Sequence, residues 1–217
     1  MKPRYLISLC ILVLFCATPR SEASSVLQLL SPPSPFTQNG IYVGPYAISV
    51  NGVATTLVCD DYATETGYNS WLANTSTLSN LSGTEFVGQT NSTQKYYAAA
   101  WLAQQMFGLN PTTSGYADEI VDMHYATWAI FWGTSLLSND PDGDSTTWYN
   151  TALANNYSNG TFNLTNMVIY TPVVPGAAQE FIGETPEPAS VILFGIALLV
   201  SLAVMRRRRL VINTTHA

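Results

Sequence analysis

The stretch IYVGPYAISVNGVATTLVCD, residues 41–60, reads as two β-rich runs about a turn. Ile41 to Val50 and Val53 to Asp60 are rich in β-branched and aromatic residues, which suit a pleated, half-buried surface. Asn51-Gly52 between them is the favoured two-residue hairpin pair, because both residues accept the positive φ that such a turn needs. The hairpin predicts an antiparallel sheet.

Upstream, Ser24 to Asn39 opens on a short apolar run and then meets Ser31-Pro32-Pro33-Ser34-Pro35, which can continue neither a helix nor a central strand. Downstream, Trp71 to Thr93 is rich in Ser, Thr and Asn and reads as a long loop with at most one short element. Thr93 to Phe107 is Ala-rich and predicts a helix that stops at Gly108 and Pro111. Ala117 to Trp132 places Val121, Tyr125, Trp128 and Trp132 on one stripe, opens with Asp118 and Glu119, and stops at Gly133. A third short helix is expected over Thr146–Asn155 and a closing strand within Phe162–Val174. The expected fold is α+β, a small antiparallel sheet with two or three helices packed on it.

The two ends of the chain carry targeting information. Residues 1–23 have the layout of a signal peptide: Lys2 and Arg4, an apolar core from Tyr5 to Ala17, and Ser21-Glu22-Ala23 before the cleavage point. Near the other end, residues 189–205 are uncharged and apolar and are followed by Arg206-Arg207-Arg208-Arg209. At ~1.5 Å per residue such a helix spans about 25 Å, close to the hydrocarbon core of a bilayer. The arginines place the basic tail, residues 206–217, in the cytoplasm and residues 24–188 outside, the orientation the signal peptide also requires. Residues 24–176 are then the exported domain, and the Pro- and Gly-rich residues 177–188 a linker.

Pro186-Glu187-Pro188, the apolar helix and Arg206 to Arg209 together resemble the PEP-CTERM sorting signal of Gram-negative bacteria. The resemblance covers about thirty residues, and the chain continues from Leu210 to Ala217 where such tails stop near the arginines. It implies a transient single-pass precursor processed by an exosortase, a membrane transpeptidase. It further implies a cell-surface or extracellular-matrix protein with a non-catalytic structural, adhesive, biofilm or exopolysaccharide-associated role.

Within the exported segment Cys59 is the sole cysteine, so no internal disulfide can form, and Lys95 is the sole basic residue. That acidity excludes nucleic acid as a partner. Six Asn-x-Ser/Thr sequons, headed by Asn74, Asn80, Asn91, Asn156, Asn159 and Asn163, belong to a neutral, hydroxyl-rich surface.

Cys59 closes a strand, and Asp122-Met123-His124-Tyr125 lies on the second helix. This arrangement, across residues 41–133, resembles the thioester domains of bacterial surface proteins, in which a Gln side chain closes a bond with the Cys sulfur. His124 stands at the Gln position and has no acyl group to give, so the resemblance implies the scaffold without the thioester, unless Gln104 or Gln105 substitutes. Cys59 and His124 also suit a nucleophile and base, with Asp60 or Asp61 orienting the imidazole, as in a secreted hydrolase or transferase. The plain alternative is a buried thiol and a hydrogen-bonded helix histidine. Asn139 to Ser145 contains Asp140, Asp142 and Asp144 at the alternate spacing of a calcium loop, but lacks its later ligands, so a Pro-Asp-Gly turn is expected and no metal ligand or cofactor is assigned. Trp71 and Trp148 are the candidates for stacking against a sugar.

Overall fold

A computed structural model describes residues 24–185 apart from Pro33. The signal peptide, Pro186 to Pro188, the apolar span 189–205 and the basic tail with Arg206 to Arg209 lie outside the described residues. Among the described residues no helix is long and apolar enough to cross a membrane. The chain divides after Gly183, and the fold below is that of the first unit.

The hairpin is present, but the small sheet is not: the strands close into a barrel. In chain order they are β1 (Ser25–Leu29), β2 (Phe36–Gln38), β3 (Ile41–Val43), β4 (Tyr46–Val50), β5 (Val53–Cys59), β6 (Trp71–Thr77), β7 (Met167–Pro172) and β8 (Phe181–Glu184). Six of them form a closed barrel in the order β1-β4-β5-β8-β7-β6, while β2 and β3 make a separate two-stranded ribbon. Closure comes from three strands outside the expected ones. Ser25–Leu29 pairs antiparallel with both β4 and β6, Trp71–Thr77 is a strand where a loop was expected, and Phe181–Glu184 is a strand inside the expected linker. The expected single strand from Ile41 to Val50 is broken at Gly44-Pro45, so that β3 leaves the barrel for the ribbon.

The alternation of side chains explains the closure. On β1, Leu27 and Leu29 point inward while Val26 and Gln28 face out, and β4 sends Tyr46, Ile48 and Val50 the same way. Leu57, Cys59, Ala73, Val168, Tyr170 and Phe181 complete the barrel interior. The outward residues Val58, Ile169 and Ile182 pack instead with the helices. Strand β7 is therefore buried on both faces along its whole length.

The helices are α1 (Ser92–Gly108), α2 (Tyr116–Trp132) and α3 (Ser145–Ala154), with a 3₁₀ turn at Thr134–Asn139. They cover the β5-β8-β7 wall. Ala98, Ala99, Ala100 and Ala103 on α1 are all fully buried, and these small side chains let the helix lie close to its neighbours on several sides. Trp128 and Tyr96 are the largest fully buried side chains, one on each long helix.

Gly183 tests whether β8 is a wall of the barrel. A Cβ there would overlap Leu57 Cδ2 on the neighbouring strand, whereas a Cβ at Gly88 meets nothing within 4 Å. Gly183→Ala should lower stability by about 1–3 kcal/mol through overpacking. Gly88→Ala should change it by less than about 0.5 kcal/mol. Thermal unfolding of the two variants checks this, since a linker position would leave both unchanged.

Candidate functional site

The barrel rim where β5 ends is the most chemically crowded place in the fold. His124 reaches it from the middle of α2 and is fully buried. The Gly44 N–H donates to its Nδ1, and its Nε2 lies 2.8 Å from the Cys59 carbonyl oxygen. An N–H donor on one side and a carbonyl on the other admit one arrangement, a neutral ring protonated on Nε2. Burial lowers its pKa to about 3. Trp128, one helical turn on, lies against the ring with centroids 4.0 Å apart. Gly44 is held at φ +82°, and a Cβ there would overlap Ile120 Cγ2, so only glycine brings the backbone this close to α2.

Cys59 and His124 are thus neighbours, as the sequence pairs them, but they meet through the Cys59 backbone. The thiol points into the barrel and donates to the Asp61 carbonyl at 3.1 Å. Burial, and then the neighbouring Asp60 carboxyl, push its pKa well up, which keeps it a thiol. Both imidazole nitrogens are occupied, so the ring has no lone pair for that proton. Cys59 is a free cysteine, fully buried in the barrel interior.

Asp60 and Asp61 are also fully buried. Asp61 Oδ1 accepts from the N–H groups of Ala63 and Thr64 at 3.0 and 3.3 Å, which starts the turn leaving the barrel. Asp60 lies beside Glu180, itself fully buried. Glu180 accepts from Tyr96 Oη at 2.6 Å, from the Glu85 N–H at 2.9 Å and from Thr171 Oγ1. Burial, and then the Glu180 charge, drive the Asp60 carboxyl well above its ordinary range, and both of its oxygens are buried without a hydrogen-bond partner. The ring nitrogens of His124 bond to Gly44 and to the Cys59 carbonyl, and to neither Asp60 nor Asp61.

The turn that Asp61 starts forms one wall of a cleft of about 520 Å³. Tyr42, Tyr46, Tyr62 and Tyr68 line it together with Thr64, Thr66, Glu65 and Gln179. Tyr68 and Tyr42 are 52 % and 42 % exposed. The wall is firmly tied: Gln179 donates to the Asp61 carbonyl at 2.8 Å, the Gln179 N–H donates to Thr66 Oγ1 at 2.9 Å, and Tyr62 packs edge-on to Trp128 at 5.2 Å. These tyrosines are scattered along the sequence between positions 42 and 68, and no spacing rule gathers them.

The other sequence candidates lie elsewhere. Trp71 packs against Phe181 at the barrel interior, and Trp148 tilts against Trp101 while its indole N–H donates to Glu119 at 3.1 Å, so neither is a free platform. Gln104 donates to the Asn163 carbonyl at 3.0 Å, at an exposed edge. Asp140 and Asp142 do form a turn, and Asp122 of α2 joins them, its buried carboxyl lifted to about 8 by burial and by its two acidic neighbours.

Residues 184–209 match the family model described as the PEP-CTERM protein-sorting motif. The chain therefore carries a PEP-CTERM sorting signal, which marks an exported surface protein processed by exosortase. No curated protein and no solved structure matches the chain. Nothing in these comparisons supports the thioester-domain resemblance.

The buried acids give an unusual pH response. Carboxyls of ordinary value, 3.8 for Asp, are ionised in the unfolded chain at neutral pH, whereas folded Asp122 keeps its proton up to about 8 and burial holds Asp60 well above its ordinary range. The folded state binds more protons, so stability is fully present at low pH and is lost as pH rises through those values. Below 6.5 His124 acts oppositely, since only the unfolded chain protonates it, and the slope becomes shallower. In metal-free buffer the unfolding midpoint should fall between pH 6.5 and 8, with a slope on the order of 1 kcal/mol per pH unit from Asp122. Asp122→Asn should flatten that slope.

Proposed function

We propose that the mature protein is a non-catalytic component of the cell surface or extracellular matrix that binds a neutral polysaccharide in the tyrosine-lined cleft. The observation that supports this is the cleft itself, with two half-exposed tyrosines beside threonine hydroxyls and the Gln179 amide. Tyrosine rings offer flat apolar faces to the C–H faces of sugar rings, and hydroxyls and amides match sugar hydroxyls. The volume falls within the range of small-molecule sites, enough for a few sugar units of a longer chain. The near absence of basic side chains on the domain disfavours an acidic polymer as the direct ligand. Before processing, the apolar span and the arginines hold the precursor as a single-pass protein with its C-terminus in the cytoplasm, and cleavage near Pro186-Glu187-Pro188 releases the domain into a biofilm or exopolysaccharide matrix.

A Cys/His hydrolase or transferase is disfavoured by the same site, because the thiol is buried and the imidazole has no free nitrogen. A thioester adhesin would need an amide beside Cys59, a place that His124 fills.

Retention of the secreted protein on a column of the producing cells' own extracellular polysaccharide tests the reading. Tyr42→Ala and Tyr68→Ala should each weaken retention about tenfold or more, the loss of one stacked ring in a small site. Tyr97→Ala, at the distant stack with Tyr157, should leave retention unchanged if the fold survives. Equal retention of wild type and both cleft variants would refute the proposal.

A further inference from the structure

We infer that Asp122, Asp140 and Asp142 form a calcium site that fastens α2 to the loop ahead of α3. Asp122 lies near the start of α2, and the other two lie between the 3₁₀ turn Thr134–Asn139 and α3. One carboxylate oxygen from each residue falls within 4.8 Å of the others, a spacing that one cation can bridge. Three ionised carboxylates this close repel one another strongly, so the cluster must hold either a proton or a cation.

Among the described residues, no Lys or Arg side chain supplies that charge. Lys95 is the only Lys or Arg between residues 24 and 185, and its ammonium is bonded to Gln89 Oε1 at 2.6 Å. A second and independent observation comes from Asp122. It is only 4 % exposed, yet its Oδ1 has no hydrogen-bond partner. Such an orphaned carboxylate oxygen carries a large desolvation cost unless a cation or proton meets it. The loop, by contrast, is already ordered by its other oxygens. Asp140 Oδ2 accepts from the Ser145 N–H at 2.9 Å, and Asp142 Oδ1 accepts from the Asp144 N–H at 3.3 Å. Each loop residue is left with its second oxygen for a ligand.

The donor set identifies the ion by class. Three hard carboxylate oxygens and no nitrogen or sulfur exclude a preference for zinc or copper. Magnesium is ordinarily held by one or two protein carboxylates and several waters, whereas calcium accepts more carboxylates in irregular geometry. An exported protein also meets calcium at concentrations that weak extracellular sites can use. The loop alone falls short of a calcium-loop pattern because its remaining ligand comes from a helix about eighteen residues earlier in the chain.

The test is equilibrium dialysis of the full chain, in detergent and stripped with EGTA, against radioactive calcium, with thermal unfolding in parallel. Wild type should bind one calcium per chain, and saturation should raise the unfolding midpoint by about 5–10 °C at a hundredfold excess over Kd. Magnesium should compete only weakly. Asp122→Asn and Asp142→Asn should each cost about tenfold or more in calcium affinity. Asp144→Asn, outside the cluster, should bind as wild type does. Because Asp122→Asn relieves the repulsion, it should unfold at a higher temperature than wild type without calcium and gain little from calcium. Failure of wild type to bind calcium at millimolar concentration would overturn the inference, as would undiminished binding by both cluster variants.

Discussion

His124 holds three pieces of this fold at one point. Its ring takes a proton-donating N–H from Gly44, at the break between the ribbon and the barrel, and gives its own N–H to the carbonyl at the end of β5. The two bonds fasten α2 to the barrel rim and to the ribbon strand that precedes it. Protonation of the ring would break the first bond, since imidazolium has no acceptor for the Gly44 N–H, and would leave only the bond to the Cys59 carbonyl. Burial keeps the ring neutral, and Trp128 lies tilted against it with centroids 4.0 Å apart. Tyr62 rests on that same tryptophan, so the cleft wall inherits its position from the histidine. A residue that looks like a catalytic base is thus a three-way fastening.

Charge is the second constraint. The domain carries one Lys and no Arg between residues 24 and 185, so its buried acids cannot form salt bridges with more than that one side chain. The fold meets this in three ways. Asp61 is satisfied at Oδ1 by backbone N–H groups, Glu180 by hydroxyls and an N–H, and the Asp122 group by a cation under the proposal above. All three raise the dependence of the fold on its surroundings, on acidity and on divalent ions, which vary outside a cell.

The helices and the central hairpin were legible because their signals are local. Asn51-Gly52 sits at φ 51° and 82° as a two-residue turn requires, and the three helices start and stop within about a residue of their sequence signals. Barrel closure was not legible. Trp71–Thr77 carries Asn, Ser and Thr on a strand whose neighbours supply much of the apolar cover, and Phe181–Glu184 is too short to show a period. Asn39-Gly40 was a usable sign of the β2–β3 ribbon, being a second pair of positive-φ residues of the same kind as Asn51-Gly52. The sorting motif was legible because its order along the chain is its recognition signal. The pairing of Cys59 with His124 was legible, but its chemistry was not, since sequence cannot say whether a histidine meets a side chain or a backbone carbonyl. The cleft and the Asp122 contribution depend on long-range packing and had no local sign.

The most direct measurement is the nitrogen-15 NMR spectrum of the His124 ring in the full chain as a function of pH. A neutral ring protonated on Nε2, with shifts constant from pH 8 to below pH 5, is what the fastening requires. A ring that titrates near the ordinary value of 6.5, or that carries its proton on Nδ1, would contradict the account, because the Gly44 N–H would then face a donor.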